Sequence, residues 1–91
     1  MKRILIVEDD FMLNSGLCYN LELDEYEAVP AYNAAVALEK VREKNFDLIV
    51  LDVNLPDGDG FELCKKIKSL IDIPVVFLTA RDLESDVVAG F

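Results

Sequence analysis

Glu8, Asp9 and Asp10 stand directly after the apolar run Ile4-Leu5-Ile6-Val7, and Asp52 directly after Leu48-Ile49-Val50-Leu51. Thr79 follows a third run, Pro74-Val75-Val76-Phe77-Leu78. Carboxylates brought close together either hold a proton at unusually high pH or demand a cation. The donors on offer at Glu8, Asp9, Asp52 and the loop carbonyls beyond Asp52 are all oxygens, and few of them, which suits Mg²⁺ completed by a phosphate. A partly buried carboxylate beside a metal can also attack phosphorus and form an acyl phosphate. Phosphoryl transfer asks mainly for alignment and charge neutralisation, so a small site suffices. The Thr79 hydroxyl would then bond a phosphoryl oxygen, with small Ala80 leaving room beside it.

That chemistry requires the apolar runs to be parallel strands. Parallel strands place all their C-terminal ends on one edge, where open α/β sheets build their sites. The stretches between the runs read as helices. Residues 10–25 carry Leu13, Leu17 and Leu21 on one helical face, with Asp9 and Asp10 at the favourable N-terminus. Asn33 caps a helix over 34–44, with Ala34, Ala37, Leu38 and Val41 on one side. A helix over 60–70 would bury Leu63, Cys64, Ile67 and Leu70 and expose Lys65, Lys66 and Lys68. Strands are expected at 2–7, 27–31, 48–51 and 74–78, and a last helix from Leu83, capped by Asp82. Pro30 lacks an amide donor, which places the second strand at an edge. Loop 52–60 turns sharply at Pro56, Gly58 and Gly60. The order β-α-β-α-β-α-β with right-handed crossovers predicts a doubly wound, flavodoxin-like α/β sheet of strand order 2-1-3-4, in one domain.

Bulk properties narrow the function. The 91 residues hold 9 basic and 18 acidic side chains, a formal net charge of −9. Nucleic acid and anionic membrane are therefore disfavoured as direct partners. No segment reads as a signal peptide or reaches the ~20 apolar residues of a membrane span, and a cytoplasmic protein is expected. Cys18 and Cys64, far apart in helical patterns, read as reduced apolar residues. With no histidine in the chain, a His-ligated metal or a Ser-His triad within it is excluded.

Taken singly, each site residue has a plainer role: Glu8-Asp9-Asp10 as a solvated helix start, Asp52 as a turn former, Thr79 as a strand-end cap. Their convergence on one sheet edge argues against three separate accidents. An EF-hand reading of the loop fails, because its sixth position from Asp52 is Asp57 instead of Gly and its twelfth is Leu63 instead of Glu.

The segments Ile4-Leu5-Ile6-Val7-Glu8-Asp9-Asp10, Asp47-Leu48-Ile49-Val50-Leu51-Asp52, Leu55-Pro56 with Asp59-Gly60, and Pro74 to Arg81 together resemble the receiver domain of two-component response regulators. The resemblance covers the whole chain. It implies that Asp52 is the phosphoacceptor for a sensor histidine kinase. Mg²⁺ would be held by the Asp9 and Asp52 side chains, by the Asn54 main-chain carbonyl and, through water, by Glu8. Thr79 would be the switch hydroxyl. Glu8-Asp9-Asp10 and Leu78-Thr79-Ala80-Arg81 are most similar to the transcription-factor branch, whose DNA-binding output domain would lie in the parent protein and not in this chain. Such a protein is a regulator that acts on itself, not a turnover enzyme. A haloacid-dehalogenase-like phosphatase also uses a strand-end Asp, but would want Asp and Thr where this chain has Asn54 and Pro56.

The family continues to a fifth strand and helix, which carry a lysine and an aromatic. Residues 1–91 are therefore expected to be a receiver domain short of its last βα unit. Two expectations attach to that. The fourth strand would be an apolar edge prone to self-association. The alternative function is an interaction or dimerisation module that is not phosphorylated. Phe11 and Met12 point away from the leucine stripe and are expected to form a docking face beside the acids.

Overall fold

The computed structural model of the chain describes residues 2–78. Continuous apolar runs without interior proline make β1 (Arg3–Val7), β3 (Leu48–Asp52) and β6 (Val75–Leu78) sheet strands, with β2 (Glu27–Ala31) beside them. They form one parallel sheet in the order β2-β1-β3-β6. This is the expected doubly wound order, with β6 as the expected fourth strand. Pro30 sits in β2 at one edge, where its missing amide removes no ladder bond.

The helices are α1 (Phe11–Leu23), α2 (Ala34–Glu43) and α3 (Gly60–Leu70). Each begins at a side-chain cap. Asp10 accepts from the Leu13 amide at 3.1 Å, Asn33 from Val36 at 2.8 Å and Asp59 from Phe61 at 2.8 Å. Right-handed crossovers place α1 on one face of the sheet and α2 and α3 on the other. The second face holds the core: Leu5, Val7, Ile49 and Leu51 pack with Ala37, Val41, Leu63 and Ile67. Burial of such side chains stabilises by about 1.5–3 kcal/mol each.

Two details depart from the expected pattern. Leu70 is exposed, because α3 ends there and the extended backbone at Ile71 turns Ile71 onto the core instead. The loop after Asp52 is a miniature antiparallel hairpin, β4 (Asn54–Leu55) paired with β5 (Gly58–Asp59) around Pro56 and Asp57. Thr79, Ala80 and the helix expected from Leu83 lie outside the described residues.

Candidate functional site

Parallel register does the positioning. Val7 stands opposite Leu51, so β1 and β3 release Glu8 and Asp52 side by side at the C-terminal edge of the sheet. Glu8, Asp9 and Asp52 each bring a carboxylate oxygen to within 4.8 Å of the others. Glu8 is only 2% exposed and Asp52 6%, whereas Asp9 is exposed. These acids, with Asp10, Asn54, Leu55 and Pro56, line an open cleft of about 530 Å³. Among the described residues no lysine or arginine lines it. Of the residues expected in the site, Glu8, Asp9, Asp52 and Asn54 are brought together; Thr79 falls outside the described residues.

The hydrogen bonds around the acids are too few to neutralise them. Glu8 Oε2 accepts from the Asp10 amide at 2.9 Å, and Asp52 Oδ1 from the Asn54 amide at 3.3 Å. Among the described residues, buried Glu8 Oε1 has no donor. Burial pushes the Glu8 carboxyl up to about 7, and the charges of Asp52 and Asp9 add to that, against the pull of the Asp10 amide. Burial likewise raises the Asp52 carboxyl, with the Asn54 amide opposing and Asp9 reinforcing. Only a shared proton or a cation can bridge carboxylates held this way. The unpartnered buried oxygen and the all-oxygen donor set fit a hard divalent cation.

Two further residues shape the site. Asn14, fully buried on α1, donates to the carbonyls of Ile6 (3.1 Å), Glu8 (2.9 Å) and Ala31 (3.3 Å). It thereby ties the ends of β1 and β2 to the helix that starts beside them. Its signal in the sequence is a polar residue inside the leucine stripe of α1, between Leu13 and Leu17. Gly60 closes the loop beneath Asp52, with its amide donating to the Val53 carbonyl at 2.7 Å. A Cβ at Gly60 would meet the Asp52 carbonyl oxygen at 2.3 Å, so no other residue fits without moving the backbone that carries Asp52.

Beside the cleft, Phe11 is 62% and Met12 78% exposed, as their positions on the helical wheel imply. The Phe11 ring lies 5.7 Å from that of Tyr32.

Residues 4–91 match the family described as the response regulator receiver domain. The chain belongs to that family. It is 42% identical over 90 residues to the alkaline phosphatase synthesis transcriptional regulatory protein PhoP of Bacillus subtilis, covering 98% of this chain and 38% of that protein. It is 39% identical to the transcriptional regulatory protein AfsQ1 of Streptomyces coelicolor, covering 99% of this chain and 40% of that one. The receiver chain thus spans about two fifths of the length of these curated relatives. Among solved structures it is similar to the response regulator TrrA of Thermotoga maritima in complex with Mg²⁺-BeF, with a TM-score of 0.84 and 34% identity, covering 98% of this chain and 79% of that one. It also matches a chain in the complex of histidine kinase ThkA with TrrA, at a TM-score of 0.83 and 36% identity, over 88% of this chain and 70% of that one. The receiver is therefore a signalling domain of two-component regulation with a flavodoxin-like α/β fold.

Proposed function

We propose that Asp52 is the phosphoacceptor of this receiver domain, that Mg²⁺ is its cofactor and that a sensor histidine kinase is its donor. The observation that carries the reading is the convergence of three carboxylates within 4.8 Å around a buried strand-end aspartate. The relatives support it: one similar structure holds Mg²⁺-BeF and another pairs a response regulator with a histidine kinase.

In the transfer, an Asp52 carboxylate oxygen attacks the phosphorus of a phosphohistidine on the kinase. The P–N bond breaks, its electron pair stays with the imidazole, and the imidazole takes up a proton. Mg²⁺, when bound, supplies the positive charge that offsets the phosphoryl oxygens and the clustered acids. Asp9 and Asp52 would hold it through their side chains, Asn54 through its carbonyl and Glu8 through water. Thr79 is the hydroxyl that reads the phosphoryl group. Exposed Phe11 and Met12 are the docking face for the kinase. The parent regulator passes the signal to a DNA-binding output domain, in keeping with the transcriptional relatives.

The test is covalent. With Mg²⁺ and a small phosphodonor, mass spectrometry is expected to find one acyl phosphate, on Asp52. Full labelling of Asp52→Ala would falsify the assignment. Phe11→Ser with Met12→Ser is expected to slow transfer from the kinase and leave small-donor labelling intact; equal loss with both donors overturns the docking role.

A further inference from the structure

We propose that Asp57 is a positioning residue for the acidic site, latching the β4–β5 hairpin to the N-terminus of α2. The inference rests on the metal-site reading above. Asp57 occupies the hairpin tip, and its two carboxylate oxygens accept from the first two amides of α2, Ala34 at 2.8 Å and Ala35 at 3.1 Å. Asn33 caps the third helical amide, Val36. Two donors that a helix start normally leaves to water or to its own N-cap are thus taken by a residue 22 and 23 positions further along the chain. The Ala34 amide, and after it that of Ala35, hold the Asp57 carboxyl below its ordinary range, so the latch carries full charge at neutral pH.

The latch matters because of what the hairpin carries. Asn54, Leu55 and Pro56 form the hairpin's part of the wall of the cleft that Glu8 and Asp9 also line. Strands of two residues each do not hold their own geometry. The hairpin root is fixed by the Gly60 amide on the Val53 carbonyl and by buried Leu55. The tip is fixed by Asp57. Asp52, by contrast, is placed by strand pairing with β6 and does not need the latch. Loss of the latch should therefore slacken the Asn54 wall and leave the central strands unchanged.

Substitution from both sides of the contact tests this in the full chain. Asp57→Ala removes the acceptor. Ala34→Pro removes the 2.8 Å donor while keeping the Asp57 charge, and proline suits the first helical position, especially after extended Asn33. Two quantities are read: Mg²⁺ affinity from amide shifts at Asp9 and Asp52, and metal-free hydrogen exchange at Asn54, Ile6 and Val50. Each single variant is expected to weaken Mg²⁺ binding about 3- to 10-fold, below the loss for a residue bonded directly to a ligand. Exchange should quicken at Asn54 but not at Ile6 or Val50, and the double variant should add nothing further. Weakened binding in Asp57→Ala alone would reflect lost charge and overturns the proposal, as does unchanged Asn54 exchange in both variants. If the unsubstituted chain binds no Mg²⁺, the metal-site reading falls, and Asn54 exchange still decides the latch. Should Asp57→Ala not fold, Asp57→Asn, which keeps one acceptor, is expected to show the same changes at smaller size, and wild-type behaviour there overturns the latch.

Discussion

The two edges of the sheet treat their acids in opposite ways. At the edge where the strands begin, Asp47 accepts from the Arg3 amide at 2.8 Å, and the Arg3 guanidinium donates to the Asn45 carbonyl at 3.1 Å and lies 3.2 Å from Glu27. Asp47 and Glu27 thus each have a donor or a cation beside them. At the edge where the same strands end, Glu8, Asp9 and Asp52 face one another with one buried oxygen unpartnered among the described residues. A fold under no other demand would neutralise both edges. On the proposed function, the C-terminal edge is where stability is given up for a cation and an incoming phosphoryl group.

The largest expected effect breaks the acidic edge at its backbone. Gly60→Ala forces its Cβ against the Asp52 carbonyl, where neither group is a flexible side chain. A loss of about 3 kcal/mol in urea unfolding is expected, together with loss of Mg²⁺ binding. A variant of wild-type stability would mean that the β3 end yields more freely than its packing implies.

Next comes relief of the crowding. Asp52→Asn keeps the shape and removes one of three crowded ionisable carboxyls. It should raise metal-free stability by about 1 kcal/mol and abolish the stabilisation by Mg²⁺. Asp47→Asn, at the neutralised edge, should not stabilise. Equal effects of the two substitutions would erase the distinction between the edges.

The crowded acids also make stability depend on pH. Folded Glu8 holds its proton up to about 7, against an ordinary value of 4.5. The native state thus binds more protons than the unfolded chain in that window, so metal-free stability is greatest below it and falls as pH rises through it. Raised Asp52 acts with the same sign. Thermal unfolding without metal should give a higher midpoint at pH 5.5 than at pH 7.5. Added Mg²⁺ should raise the midpoint more at pH 7.5, where the ligands are ionised. A flat profile would show the crowding to be harmless.

The smallest effects lie at the neutralised edge. Asp47→Ala removes the acceptor of the Arg3 amide and should cost about 0.5–1 kcal/mol. Glu27→Ala opens a half-exposed ion pair whose contact with Arg3 Nε is too oblique for a hydrogen bond, and should cost under about 0.5 kcal/mol. Urea titration measures both.

Much of this is legible in the chain. Continuous apolar runs between helical stretches identify buried parallel strands, the proline in the second run marks the edge, and acids directly after the runs mark the site. Asn33 reads as a cap and is one. Other features are illegible for identifiable reasons. Asn14 interrupts an apolar stripe, and its three carbonyl partners come from two strands and a strand end that share no local pattern with it. Asp57 has the residue type and neighbours of a turn, and its partners lie on a helix that precedes it in the chain. The β4–β5 pairing is too short to leave a periodic signal.

Local physics therefore settles which segments become strands and helices, and which residue types stand at their ends, because side-chain period, capping and proline act within a few positions. Burial and charge at the site are decided only by assembly. Glu8 and Asp9 are neighbours in sequence and both acidic, yet one is sealed in with an unpartnered oxygen and the other faces solvent. Nothing local distinguishes them. The difference arises when β1 pairs with β3 and α1 settles against the sheet, because desolvation and Coulomb interaction depend on neighbours brought from 40 or more residues away.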